Sequence, residues 1–429
     1  MKYLILTSVI RKTSVLAYFS LFSFCVTSQN TNYSPYSRFG TGEYNIGRTI
    51  VSSSMGNTAI GIRNNTWINS VNPASYSAFD SLSFTFDVAL SLKINNISNS
   101  SESALYSNPN IQYFTAGLPV TRWWRMAFGL QPYSMAGYNI LSNQTLNDST
   151  TAKHTYTGQG GLNQFFLGHS FKLFPNLSFG FNTSFIFGSI DRTTISSFNE
   201  LDYSSEYRNK RSIIMQDFHL NLGLQYTKQL KNDNIFCAGI VFENKTSMNS
   251  KVSNFTLKYL NISGVLSLDT IEDSVTSGQA IDLPLHAGIG FSYSKPNHMI
   301  IAFDVRYFNR ENLSFLGVKD SQSNSLFAGF GYEYIPQYNS PNKYWKRMAY
   351  RAGAHYYSTG IELRNTAINQ IGISFGLGFP LKRTKTMINL AFEAGTRGTL
   401  KNELIKEQYF VISAGLLLHD KWFVKPKYE

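Results

Sequence analysis

The residues able to do chemistry in this chain are scattered, not clustered. Seven histidines, His154, His169, His219, His286, His298, His355 and His419, each stand alone. None has a second histidine, a cysteine or a carboxylate at a metal-ligand spacing, and no glycine-rich phosphate loop follows a strand. No metal and no other cofactor is expected. Serine is so abundant that a Ser, His and Asp set means little, so a hydrolase assembled across elements stays open while the chain reads as a non-enzyme. What recurs instead is a lone charged or imidazole group inside an apolar stretch: Asp87, Lys93, Asp217, His219, Glu243, His286, Asp304, Arg306, Glu333 and Glu393. Such groups suit a wet interior, where they pair with one another or with whatever fills it, because unpaired buried charge is costly. Asp304 and Arg306 lie two apart on one face and could clamp a chain segment together.

The elements that must hold these groups are strands. From Ser83 to Ile94, Phe84, Phe86, Val88, Leu90, Leu92 and Ile94 alternate with Thr85, Asp87, Ala89, Ser91 and Lys93. A period of two sends the two sets to opposite faces of a pleat. The pattern returns at 218–226, 285–294 and 370–379, with the charged residues on the polar side each time. An apolar outer face and a polar inner face, repeated many times, is what a lipid-embedded barrel requires; an outward Lys or Arg at midplane would cost about 2–4 kcal/mol. The alternation predicts about fourteen strands, at 83–94, 110–119, 122–132, 162–174, 176–190, 213–229, 234–248, 284–295, 298–308, 325–335, 347–357, 370–381, 386–396 and 407–419. The fold class is therefore all-β, a transmembrane antiparallel barrel.

Connections support this. Pro119–Thr121, Phe174–Leu177, Leu230–Asp233 and Lys295–Asn297 read as tight turns. Between them 133–161, 191–212, 249–283 and 309–324 read as long loops rich in Ser, Asn and Thr. Short periplasmic turns and long external loops are the habit of outer-membrane barrels, whereas a soluble sandwich gives no reason for loop lengths to alternate. The exception is Pro336–Lys346, a longer inner connection. Trp123, Trp124, Tyr344, Trp345, Trp422 and Phe423 fall near inner ends and predict an aromatic girdle.

Lys2, Arg11 and Lys12, the apolar run Thr13 to Val26, and Val26 and Ser28 at the −3 and −1 positions predict a signal peptide over 1–28. The expected location is the bacterial outer membrane, with outer-membrane lipid as a partner. Cys25 would leave with the signal and Cys237 would remain alone, so no internal disulfide is expected. The formal charge of +12 comes from Lys and Arg scattered at turns and strand ends. No basic run is interleaved with stacking aromatics, so nucleic acid is not an expected partner.

Residues 29–81 lack the rhythm. They carry Asn32-Tyr-Ser-Pro-Tyr-Ser-Arg-Phe-Gly40, then Ser52-Ser-Ser-Met-Gly-Asn-Thr-Ala-Ile-Gly61, then Val71-Asn-Pro-Ala-Ser75. Met55, Ala59, Ile60, Ile62, Trp67, Ile68 and Val71 are too apolar a set to leave in water, and the segment is too small to fold alone. It predicts a plug packed inside the barrel. A Ser-Ser-x-Gly-x-x-x-Ala stretch followed by Asn-Pro-Ala and about fourteen strands resembles the FadL/TodX family of hydrophobic-compound transporters. The resemblance implies that 29–81 is a luminal hatch, with Ser54, Gly56 and Ala59 in its first stretch and Asn72, Pro73 and Ala74 at its end. It is confined at residue level to roughly 30–80. The opening at Asn32–Gly40 and the tail 420–429 depart from the family pattern and are expected in the periplasm, flanking a barrel over 82–419.

Two functions follow. One is passive, hatch-gated uptake of hydrophobic or amphipathic small molecules, with Asp87, Asp217, His219, His286, Asp304, Arg306 and Glu393 as polar groups of the lumen. The other is a non-transporting accessory barrel of an outer-membrane assembly for protein secretion or barrel insertion. In that role, periplasmic tails and long external loops would bind protein partners. A transporter should have an apolar pocket bounded by 133–161 and 249–283, with a lateral or axial exit. A scaffold should have a sealed lumen and an apolar patch on loops or tails.

Overall fold

The computed structural model describes residues 32–47, 49–145, 151–199, 203–262, 265–319, 322–381 and 384–421. The expected signal peptide, Cys25, Trp422, Phe423 and the rest of the tail lie outside the described residues. Fourteen antiparallel strands form a closed wall: β1 Ser83–Ser98, β2 Ser103–Pro119, β3 Trp124–Thr145, β4 Thr151–Phe174, β5 Leu177–Asn199, β6 Tyr203–Gln229 and β7 Ile235–Glu243. The circuit continues through β8 Leu285–Lys295, β9 Met299–Asn309, β10 Ser325–Tyr334, β11 Ala349–Leu363, β12 Thr366–Pro380, β13 Met387–Gly398 and β14 Lys406–Lys421. The wall closes where β14 pairs with β1, from Lys406 against Ser98 to Lys421 against Ser83.

The faces sort as the alternation requires. On β1, Asp87 is 0% exposed while Leu90 is 57% exposed. Phe218, Ile240, Phe303, Phe330, Ile373 and Phe375 face outward, and Asn221, Glu243, Asp304, Arg306, Ser374 and Asn389 are buried inward. At the short-turn end, Trp123 and Trp124 stack with Phe171, and Tyr344 and Trp345 are exposed.

Three of the four stretches expected as loops are instead mostly strand. Residues 133–145, 151–161, 191–199 and 203–212 continue β3 to β6, which run to 22, 24, 23 and 27 residues. A tilted strand needs only about 9–11 residues to cross a bilayer, so these strands stand well out of it. Residues 249–283 lie in an outer hairpin, Thr246–Ile262 paired with Val265–Leu283. Their Ser, Asn and Thr read as loop because the apolar face is short: Tyr133, Met248, Val252, Ile281 and Leu283 are buried near the wall, while 265–273 at the far end of the hairpin are exposed on both faces. Only 309–324 remains largely irregular, with the small pairing Ser314–Phe315 to Val318–Lys319.

Two irregularities break the wall. The outer half of β6 pairs with Thr246–Ile262 and its inner half with β7, so the sheet forks at Asp217–Leu220. Strands β2 and β3 pair only from Phe114 against Leu130 to Pro119 against Arg125. Beyond that point β2 stays with β1 and β3 stays with β4, so the wall is parted between 103–113 and 131–145. Pro109 and Pro132 lie in the parted halves. Proline cannot donate to a ladder and belongs at an edge.

Candidate functional site

Residues 32–81 lie against the inner wall and touch every strand. Hydrogen bonds join the segment to Asn95, Tyr113, Ser134, Ser170, Asn182, Gln225, Ser292, Asp304, Ser374, Arg397 and Glu407. Gly239, Gly331 and Gly353 pack against Ile60, Met55 and Gly56 on the remaining strands. Met55, Ala59, Ile60, Ile62, Ile68 and Val71 are buried. Each large apolar side chain removed from water contributes about 1.5–3 kcal/mol.

Polar contacts fix the register of this packing. Asp304 Oδ2 accepts from the amides of Ala59 at 2.7 Å and Ile60 at 2.8 Å. Arg306 donates to Asn57 O at 2.6 Å, to Ile46 O at 3.1 Å and to Asp304 at 3.3 Å. Gly56 has φ +62°, and its amide donates to Ser374 Oγ at 2.9 Å. A β-carbon there would come within 2.4 Å of Phe330 O, so both the left-handed backbone and the close approach require glycine. Ser54 donates to Val51 O at 2.8 Å and lies against Gly376. Asn72 caps the 3-10 turn Pro73–Ala78, accepting from Ala74 N at 3.2 Å while donating to Ile60 O at 2.9 Å. Pro73 and Ala74 pack on Gly180, and Ala74 O accepts from Ser170 Oγ.

The other residues singled out from sequence fall into separate places. Asp87 accepts from Tyr113 Oη at 3.1 Å, and that oxygen in turn accepts from Ile50 N at 3.3 Å. His219 and His286 each approach Glu243 Oε2 at 3.5 Å, with His286 stacked on Phe308. Among the described residues no group of three or more His, Cys, Asp or Glu is placed to hold a metal. Asp217 stands at the fork, accepting from Phe218 N. Glu393 lies 3.8 Å from His355 Nε2 on the border of a cavity.

That cavity, about 170 Å³, is lined by Asn108, Asn110 and Gln112 of β2, Pro132 and Met135 of β3, Glu43–Gly47, and Lys93, His355, Arg397 and Tyr409. It therefore meets the parted wall. Residues 33–45 stand in for the missing strand: Glu43 and Tyr44 pair with Met135 and Ser134, Asn45 N donates to Tyr133 O, and Ser34 N donates to Gly137 O. Tyr33 stacks on Tyr106 at 4.6 Å, and Gln112 donates to Gly47 O. Asn32–Gly40 was expected in the periplasm, yet it contacts the outer halves of β2 and β3, together with Asn95, Arg192 and Glu407. The free hydrogen-bonding edge of β3 captures it there.

A charge cluster holds this stretch down. Arg397 donates to Glu43 and Gln370, Lys93 Nζ is 3.4 Å from Glu43, and Ser34 donates to Glu407 at 2.6 Å. Burial pushes the Glu43 carboxyl up, but Arg397 and Lys93 together hold it well below the usual carboxylate range. At the short-turn end, Asp80 accepts from Asn65 at 2.9 Å and from Lys385. Burial raises the Asp80 carboxyl, while the Lys385 and Asn65 hydrogen bonds outweigh that and lower it.

A family model, BamG, matches residues 9–429. The chain belongs to the BamG family. Among solved structures this BamG-family chain is similar to the Pseudomonas putida toluene transporter TodX, with TM-score 0.59 and 16% identity over 90% of this chain and 99% of that one. It is also similar to the Ralstonia pickettii toluene transporter TbuX, with TM-score 0.57 and 12% identity over 86% and 97% of the two chains. A Pseudomonas aeruginosa FadL homologue matches with TM-score 0.54 and 10% identity over 86% and 96%. These likenesses show the fold, that of FadL/TodX outer-membrane barrels. No curated protein matches the chain.

Several groups that matter in this BamG-family chain were not singled out from its sequence. Arg397 keeps the inward phase of Glu393 but falls one residue past the strand expected at 386–396, and Glu407 is the first residue of the strand expected at 407–419 and the second of β14. Arg351, bonded to Glu333 at 2.6 Å and Asn389 at 2.9 Å, shares a face with His355 and was legible from phase alone. Glu43 carries no such signal, because it lies in a stretch without alternation.

Proposed function

We propose that the protein is an exported outer-membrane barrel for passive uptake of hydrophobic or amphipathic small molecules, with residues 29–81 as its hatch. The observation that supports this reading is the meeting of the luminal cavity with the parted wall. A cavity near 150 Å³ holds one aromatic ring, so this one has room for a single-ring solute. Its lining mixes Phe327, Tyr357 and Tyr409 with Glu43, Lys93 and Arg397, which suits an amphipathic molecule. A solute entering there has a lateral way out between 103–113 and 131–145 once 32–47 moves. Toluene and p-cresol entry into proteoliposomes tests the proposal. The full chain should speed entry over empty liposomes while excluding sucrose. Deleting 29–75 should leave a folded barrel that leaks sucrose. Failure of the full chain to admit either ring defeats the uptake reading, and an unfolded deletion product defeats the hatch.

A second reading, the non-transporting accessory barrel, has its own observation. The space bounded by 133–161 and 249–283, where a transporter was expected to have an apolar pocket, is filled. Tyr133, Leu162, Ile186, Ile190, Met248 and Leu283 form a packed core there. The outer hairpin meanwhile exposes apolar side chains that nothing among the described residues covers.

A further inference from the structure

The outer hairpin ends the forked sheet with a long rim. Strand Val265–Leu283 is paired throughout with Thr246–Ile262 on one side. On its other side, among the described residues, pairing is confined to Ile281 with Phe315. Val265 to Ala280 is thus about 50 Å of open strand edge at the usual rise per residue. Val265, Leu266, Leu268, Ile271 and Val275 along it are 53–72% exposed. Such an edge is normally blunted by lysine or proline. This strand has neither, and its charges are all acidic: Asp269, Glu272, Asp273 and Asp282.

We propose that this edge docks an extended strand of a different protein, one alternating apolar with Lys or Arg residues. A row of alternating N–H and C=O groups is matched along its length only by another extended backbone, which a lipid tail lacks. Asp269, Glu272 and Asp273 on the open edge select basic residues on the incoming strand, since opposite charges on cross-strand neighbours stabilise and like charges destabilise, whereas Asp282 lies beyond the edge and is paired with Lys245. That same rule disfavours a second copy of this strand as the occupant, because it would bring its own acids. The proposal does not depend on what the lumen carries.

The test places a benzoylphenylalanine photocrosslinker at Leu268 or Val275 in the chain in its own cells, with Ser196 on the interior strand β5 as control. Both rim positions should link to one segment of one protein, at residues spaced to match the strand, and Ser196 should not. Amides of 265–279 should exchange at least about tenfold more slowly in that complex than in the purified chain. The double variant Asp269→Lys, Asp273→Lys should reduce crosslinking at Val275 at least about fivefold while the barrel keeps its heat-modifiable gel mobility. Crosslinks to lipid or to a second copy overturn the proposal, as does no crosslink with unchanged exchange. Undiminished crosslinking in the double variant overturns its charge selection.

Discussion

Two stretches of the same N-terminal segment hold to the barrel by different physics. Residues 49–79 sit in the lumen with their apolar side chains buried and their turns fixed by backbone bonds to Asp304, Arg306 and Ser374. Residues 32–47 line the parted wall, held by a two-residue strand pairing and by Glu43, Lys93, Arg397 and Glu407 around a cavity. Glu43 and Lys93 each keep about a fifth of their side-chain surface exposed. The Lys93–Glu43 pair, partly in contact with solvent, is worth only about 0–1 kcal/mol. The lesson is that water and protons can compete for residues 32–47 and not for 49–79. A segment built this way can loosen at the wall while its lumenal part stays seated.

The largest test of that contrast is Asp304→Ala. It leaves the amides of Ala59 and Ile60 without their acceptor and the Arg306 charge without its carboxylate. Removing one partner of a buried pair costs about 3–5 kcal/mol. The wall should survive, because β9 is paired on both sides. Limited proteolysis of the purified barrel should then cut within 49–79 while the closed wall resists. Continued protection of 49–79 would mean that the lumenal stretch is not held by this clamp, and the contrast would fail.

How much of this was legible follows from what alternation can encode. Asp87 buried and Leu90 exposed on one strand is a local fact, and a period of two predicts it. The clamp pair was legible for the same reason, since Asp304 and Arg306 share a phase and oppose the outward Phe303 and Val305. The parted wall was not, because pairing between β2 and β3 is a long-range property with only Pro109 and Pro132 as a local trace. Nor was the outer hairpin, whose far part, 265–273, is exposed on both faces and shows no apolar period. Glu43 and Asn45 were missed because their partners lie on strands far along the chain, in a stretch without period.

Gly56→Ala should have an intermediate effect. The residue sits at φ +62° with Phe330 O and Ala354 O where a β-carbon would go. Forcing a side chain into that conformation and space costs on the order of 1–3 kcal/mol. Hydrogen exchange should accelerate across 54–61 by about tenfold or more and remain unchanged across 32–47. Equal acceleration in both stretches would show them to be one cooperative unit.

The smallest effect sharpens the contrast most, because it acts on the wall stretch alone. Burial raises the Glu43 carboxyl, but Arg397 and Lys93 hold it well below its ordinary value of 4.5. A carboxyl whose folded-state value is depressed contributes stability that is fully present above its unfolded value and is lost as pH falls below it. The grip on 32–47 should therefore be complete at neutral pH and weaken as pH drops beneath about 4.5, with exchange of the amides around Glu43 and Asn45 rising. Glu43→Gln should raise exchange at 32–47 modestly at neutral pH and flatten its acid dependence. An unchanged acid response in that variant would show that Glu43 does not carry the acid dependence, and the contrast would lose its titrating group.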